Sequence, residues 1–386
     1  MKKKKVFFID PQSYNNLSVY DYSLQKNMTD YSVVYFHNML YECDKHDHVD
    51  YRSIFSYSSK KGKLAKVLGY CRSMMSICMA MIKERPDIVH IQWLRLWCLD
   101  YLFACLVKLM GIKLVFTAHN VLPHNPKRGD KWKYKLYYRL ASAIIVHTRC
   151  TRSELINDFG VDETKINVIP HGMLDYQVNS VDVKKRCEEL RARHNIKAGD
   201  IVFTCLGYQY KYKGVEMIVD VWDNVTELNS NPNIHLLIVG KNRNVDPAVF
   251  ERLKCYSNAF FLDEQLSNLD FDAYMLLSSV TLLPYITISQ SGLMFSALNS
   301  NIPILVSNIG GLTDPLQYAN VGWNIGAPTY ENLKTALLDL VADSGKIDNI
   351  VSSKEEFDKI RDVYSWNKIS SLTSALYRRL TDVGDC

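Results

Sequence analysis

Short runs of Val, Ile, Leu and Phe punctuate the chain, with helical patterns between them. KVFFID, SVVYF, DIVHIQ, IKLVFT, AIIVH and INVIP come first; after the charged stretch VDVKKRCEELRARHNIKAGD come IVFTCL, IHLLIV, AFFL, VTLLP, PILVS and GWNI. Most are continuously apolar rather than alternating, as expected of parallel strands covered on both faces. The intervals leave room for crossover helices. The pattern predicts an α/β protein of two doubly wound domains, joined near residues 175 to 198. DVYSWNKISSLTSALYRRL follows as a closing helix, with Ile369, Leu372 and Leu376 at helical spacing. In such sheets ligands bind beyond the carboxyl ends of the strands, so functional side chains are expected in the following loops, facing an interdomain cleft.

Composition agrees. A chain of 386 residues exceeds what one core accommodates, which favours two domains. No run reaches the roughly 18 apolar residues of a membrane span. The most apolar stretch, Trp97 to Phe116, is broken by Asp100, Lys108 and Lys113 and reads as a helix and a core strand. The start, MKKKKVFFID, has too short an apolar patch for a signal peptide and reads as a first strand after a basic start. Ten cysteines without a C-x-x-C pair suggest buried, reduced thiols in a cytoplasmic protein.

The formal charge of +5 is too mild to imply a nucleic-acid partner. Its distribution says more. Lys60, Lys61, Lys63, Lys66 and Arg72 head a long apolar helix, and PKRGDKWKYKLYYRL interleaves six basic residues with Trp132, Tyr134, Tyr137 and Tyr138. Such segments suit the headgroup layer of an anionic membrane. They equally suit solvated helix faces packed on a sheet.

Several loops carry candidate chemistry. LGYQYKYKGVEMIVDVW follows the first strand of the second half, with Lys211 and Lys213 before a helix opened at Gly214. A lysine at a strand-to-helix junction can meet a diphosphate, aided by helix N–H groups; a solvated loop and cap is the plainer reading. ITISQSGLMFSALN offers a second such corner at Ser289, Gln290, Ser291 and Gly292. Neither matches the Gly-rich fingerprints of ATPases or dehydrogenases. Asp270 and Asp272, at the start of a predicted helix, read as capping and dipole-favouring residues, so no metal is expected. In the first half, His119 and His124 follow a strand in FTAHNVLPHNP, and VIPHGM places His171 at the end of another. Imidazoles there can polarise or accept protons from sugar hydroxyls. The loop DPQSYNNLSVYDYS, with Gln12, Ser13 and Tyr14, suits a hydroxyl-rich ligand.

In order and spacing, DIVHIQW, LVFTAHNVLPH, AIIVHT, VIPHG, YKGVE, LLIVGKN and LLPYITISQSGLMFSALNSNIPILVSNIGGLTD resemble the GT-B glycosyltransferases, in particular the family-four branch of bacterial polysaccharide assembly. The resemblance implies two Rossmann-like domains facing a cleft: 1–178 for the acceptor, 179–360 for a nucleotide sugar, and 361–386 as a helix returning to the first domain. It implies a hexosyl transfer, retaining and metal-independent, from a UDP- or GDP-linked sugar as co-substrate, with no cofactor. The acceptor would be a glycan or lipid-linked oligosaccharide, met in the cytoplasm or at the inner face of the cell membrane beside an anionic surface. Lys213 falls on the family's diphosphate lysine and His119 on its cleft histidine, the two catalytic candidates. Donor binding would use Gly207, Tyr210, Lys211, Lys213, Gly240, Ser289, Gln290, Ser291, Gly292 and Leu293; acceptor binding would use Gln12, Ser13, Tyr14, His124 and His171. Three positions depart from the family: Tyr210 stands for its arginine, and Ile288 and Ser296 for its paired glutamates. The alternatives are a GT-B-like sugar-nucleotide epimerase and a sugar-binding subunit that has lost catalysis.

Overall fold

The computed structural model describes residues 3–14, 16–57, 62–123, 126–173 and 180–382. The chain divides into two compact units, Met1–Gly172 with Tyr364–Cys386, and Met173–Val363. The expected boundary at 178/179 falls outside the described residues.

Unit 1 contains a seven-stranded parallel sheet of β1 (Lys5–Asp10), β2 (Ser32–Asn38), β3 (Val49–Phe55), β4 (Ile88–Ile91), β5 (Lys113–Thr117), β6 (Ala143–Val146) and β7 (Ile166–Val168), in the order β3-β2-β1-β4-β5-β6-β7. Successive residues of β1 point to opposite faces, and both faces are buried: Phe7 and Ile9 enter one core cluster, Val6 and Phe8 another. That double burial explains the continuous apolar runs. β3 is the strand the sequence pattern misses. It lies at the sheet edge, and Asp50 and Arg52 stand in its middle, so its apolar run is broken.

The closing helix Trp366–Asp382 belongs to unit 1 and packs on the second core through Trp366, Ile369, Leu376 and Tyr377. Leu372, expected on the packing face, is instead 37% exposed, because Thr373 takes the inward position. Burying each large apolar side chain of this face contributes roughly 1.5–3 kcal/mol. Two hydrogen bonds fix its register: Ser370 Oγ donates to the Leu24 carbonyl at 2.7 Å, and the Tyr31 hydroxyl donates to the Ser374 carbonyl at 2.9 Å.

Unit 2 repeats the design with six parallel strands: β8 (Ile201–Leu206), β9 (Ile234–Val239), β10 (Ala259–Leu262), β11 (Val280–Leu283), β12 (Ile304–Val306) and β13 (Gly322–Asn324), ordered β10-β9-β8-β11-β12-β13. Each sheet reverses its strand order once, between β1 and β4 in unit 1 and between β8 and β11 in unit 2. The loops leaving these strand pairs diverge to opposite faces, which opens a crevice at each reversal.

Three expectations about side-chain placement are corrected. Tyr137 and Tyr138, expected among the interfacial aromatics, are fully buried in the helix Asp130–Leu140, which leaves Trp132 outside. Among the described cysteines only Cys187 and Cys205 are buried, while Cys98, Cys150 and Cys255 are exposed. Asp270 does not cap its helix. Ser267 does, accepting from the Asp270 N–H, and the Asp270 carboxylate pairs with Arg186 at 2.8 Å.

Candidate active site

In unit 2 the crevice lies between the loops after β8 and β11. The turn Lys211–Lys213 leads into the helix Val215–Asn224 and folds Lys213 back beneath its own loop. Its Nζ donates to the Leu206 carbonyl at 3.0 Å and lies 6.0 Å from the centre of the Tyr285 ring. Lys213 is only 7% exposed, and no ion pair to it occurs among the described residues. Burial therefore lowers its pKa from the usual lysine value. Gly207 stands against this ammonium, 3.6 Å from where a Cβ would sit.

The SQSG turn reaches the same place from the other strand. Ser291 is the N-cap of the helix Gly292–Asn299; its Oγ accepts from the Met294 N–H and also bonds the Tyr285 hydroxyl, both at 3.4 Å. Tyr285 thus joins the turn to Lys213. It is 1% exposed, and in the sequence it reads as one more aromatic. The first turn leaves the N–H groups of Gly292 and Leu293 without intrahelical acceptors. Ser289 and Gln290 are half-buried in the turn, and the Ser289 carbonyl accepts from the Gly311 N–H at 2.9 Å. Gly310 (φ 57°) makes this approach feasible, since a Cβ would sit 2.0 Å from the Ile288 carbonyl oxygen.

The remaining donor candidates are placed differently. Lys211 is exposed, with its Nζ 3.9 Å from Glu216, so the turn contributes one buried cation rather than two. Tyr210 stacks on Tyr212 at 5.3 Å. Gly240 serves the packing of two loops, because a Cβ there would lie 2.1 Å from the Gly207 oxygen. The adjoining loop brings in Arg243, whose guanidinium lies 4.1 Å from the Tyr208 ring centre. Nothing in its sequence context marks that residue. Ser296, at one of the missing glutamates, is buried and returns its hydroxyl to the Gly292 carbonyl at 3.1 Å.

In unit 1 the crevice is lined mainly by the loops after β4 and β5, with Gln12 reaching it from the loop after β1, and a chain of hydrogen-bonded rings is buried beneath it. His147 Nδ1 faces the Ile169 carbonyl at 2.9 Å, and His147 Nε2 lies 3.1 Å from His119 Nδ1. His119 Nε2 lies 2.9 Å from the Gln92 amide, which also reaches His90; His90 Nδ1 meets the Tyr377 hydroxyl at 2.6 Å. Burial holds His147 and His90 down to about 3, and burial followed by the neighbouring imidazoles holds His119 well below the usual histidine range. A neutral His147 that donates to Ile169 must accept at Nε2, so His119 carries its proton on Nδ1. Its Nε2 is then an acceptor; the Gln92 amide lies with Oε1 toward it and Nε2 toward His90, and turning that amide end for end gives both rings a matched partner. His119 is thus a neutral hydrogen-bond acceptor, stacked on Trp93 at 4.7 Å and 8°.

Of the acceptor candidates, Gln12 lines the crevice together with His119, Trp93, Arg95, Asn120 and Tyr134, around a cavity of about 230 Å³. Tyr14 is half-buried, its N–H donating to the Gln12 carbonyl at 2.8 Å. Ser13 is wholly buried: its hydroxyl donates to the Asp10 carbonyl and accepts from the Asn38 N–H, both at 2.9 Å, so it locks the loop instead of facing a ligand. His171 packs between Tyr20 and Trp366, with Nδ1 at the Gly172 carbonyl. His124 lies outside the described residues.

The Glycosyltransferase Family 4 pattern matches residues 32–173, and the Glycosyl transferases group 1 pattern matches residues 187–357. This chain belongs to the family-four-like GT-B glycosyltransferases. Solved structures agree on the GT-B fold. Sucrose-phosphate synthase from Thermosynechococcus elongatus matches at TM-score 0.68 and 15% identity over 98% of this chain and 100% of its own. A glycosyltransferase from Rickettsia africae matches at 0.70 and 13% over 98% and 99%. Anabaena HepE, solved in complex with UDP, matches at 0.67 and 14% over 98% and 100%. Among curated proteins no sequence match is found. This glycosyltransferase therefore combines the family's frame with its own side chains at both crevices. Among the described residues no cluster of His, Cys, Asp or Glu is arranged to hold a metal.

Proposed function

We propose that this glycosyltransferase moves a hexosyl group from a UDP- or GDP-linked sugar to a hydroxyl of a glycan, lipid-linked and met at the inner face of the cell membrane. One observation carries the donor reading: Lys213 is a buried ammonium without a carboxylate partner among the described residues, beside the N-terminus of the helix Gly292–Asn299. A buried cation is stabilised by an anion, and a departing diphosphate supplies one. The Gly292 and Leu293 N–H groups add oriented donors that need no acid nearby. HepE, which shares the fold, is described with UDP, and this supports the same ligand class here. With Ile288 and Ser296 in place of carboxylates, transfer rests on leaving-group stabilisation, in keeping with a retaining reaction without a metal.

The membrane reading is supported by the helix Lys63–Glu84. Leu64, Leu68, Met75, Met79 and Ile82 are all exposed on it, and Lys63, Lys66 and Arg72 are exposed beside them. Lys60 and Lys61 lie outside the described residues. No helix among the described residues is long and apolar enough to cross a membrane. Surface adsorption through apolar and basic side chains fits this face. The test is a panel of UDP- and GDP-sugars, with released nucleotide measured in the presence and absence of lipid extract. Release stimulated by lipid acceptor is expected. A protein that binds and consumes none of the panel would refute the donor assignment.

A further inference from the structure

We propose that the unit 1 crevice reads an acidic group, a carboxylate or a phosphate, on a carbohydrate acceptor, with Arg95 as the residue that recognises it. This rests on the glycosyl-transfer reading and names the chemistry of its acceptor. The walls of the crevice are aromatic and uncharged. Trp93 and His119 form a parallel ledge, and Gln12, Asn120 and Tyr134 supply neutral hydrogen-bonding groups. Burial keeps His119 neutral, so Arg95 is the one permanently charged side chain in the lining among the described residues.

The surroundings of Arg95 leave that charge available. Asp100, the adjacent acid, is 3% exposed and is occupied by the Tyr70 hydroxyl at 2.6 Å and the N–H groups of Arg95 and Leu96 at 2.7 and 2.8 Å. Asp100 therefore anchors the backbone of Arg95. The guanidinium instead lies 5.1 Å from the Tyr57 ring centre, and no ion pair to it occurs among the described residues. Stacking on a buried tyrosine holds the planar fork in place, which favours two-point pairing with a carboxylate or phosphate. Neutral hydroxyls would meet the amides, and the apolar face of a sugar ring would meet the Trp93 ledge. Arg95 is exposed, so its charge is open to a ligand entering the crevice.

The test uses the full chain and three small probes, methyl glucuronide, glucose 6-phosphate and methyl glucoside, with affinities measured by titration in solution. At least one acidic probe should bind about tenfold or more tightly than the neutral one, as a charge-assisted pair implies. Arg95→Gln should abolish the preference and Arg95→Lys should keep part of it. Both variants retain the backbone bonds to Asp100, so unchanged thermal unfolding is expected and serves as the control for folding. A preference for either the carboxylate or the phosphate alone supports the inference and identifies the acid. Equal affinity for acidic and neutral probes, no binding of acidic probes, or a preference that survives Arg95→Gln overturns it. UDP and GDP binding to the unaltered protein is a separate arm, and its failure would count against the donor reading without touching the acid preference.

Discussion

The two crevices share a parallel-sheet geometry and differ in charge. At the β8–β11 reversal a buried ammonium and a helix N-terminus converge, and the lysine lacks a carboxylate partner among the described residues. Beside the β1–β4 reversal the floor consists of His119, kept neutral by burial, the Gln92 amide and the face of Trp93, with His90 and His147 buried behind them. The same fold thus provides one site suited to an anion and another whose floor suits hydroxyls. Strand order decides where a ligand can sit, and the loop side chains decide which ligand it is.

The sharpest way to break this comparison is to remove the charge at the first crevice. Lys213→Ala should lower turnover by roughly 10²–10³-fold, the usual cost of removing a leaving-group stabiliser, while the protein remains folded. Turnover near the unaltered rate, measured by released nucleotide, would place the diphosphate elsewhere. Next in size is the geometry of the turn. Gly310→Ala, forced against the Ile288 carbonyl at a left-handed φ, should cost roughly 1–3 kcal/mol in denaturant unfolding and weaken nucleotide binding with it.

The second crevice is tested by acid. His90 and His147 titrate near 6.5 when unfolded but are held down to about 3 in the fold. As pH falls through that window the unfolded chain takes up protons first, so the stability these rings contribute is present above 6.5 and lost on acidification. Asp10 and Asp100 act in the opposite sense: burial raises both to about 6 from 3.8, so the folded chain binds their protons first and gains stability as pH falls between those values. His147→Gln should therefore make the thermal midpoint fall less steeply than in the unaltered protein between about pH 6.5 and 4. An equally steep fall would mean that His147 is not held neutral. The smallest effect is expected for Ser291→Ala, which removes a helix cap worth about 1 kcal/mol but leaves the Gly292 and Leu293 amides in place. A loss as large as that of Lys213→Ala would show that the hydroxyl itself contacts the ligand.

Much of this was readable along the chain because parallel strands buried on both faces leave unbroken apolar runs. β1, β4, β8 and β9 are visible in this way, whereas β3, at an edge and carrying Asp50 and Arg52, is not. Lys213 and the SQSG turn were legible because each sits at a strand-to-helix junction. Arg95, Tyr285 and His147 were not, since their significance depends on contacts to residues distant in sequence or on what fails to pair with them. Ser13 shows the reverse: a polar loop residue whose hydroxyl is used entirely within the backbone of its own loop and the end of β2.

The sequence by itself determined the layered α/β architecture, the position of the loops that carry chemistry and the two lysines at the turn, because these follow from local pattern and residue type. The tertiary structure decided which of those lysines is buried, the protonation of the histidines, the bridge from Tyr285 to both Lys213 and Ser291, and the lack of an ion pair to Arg95 among the described residues. Those properties depend on burial and on neighbours drawn from other strands, and no local pattern encodes them.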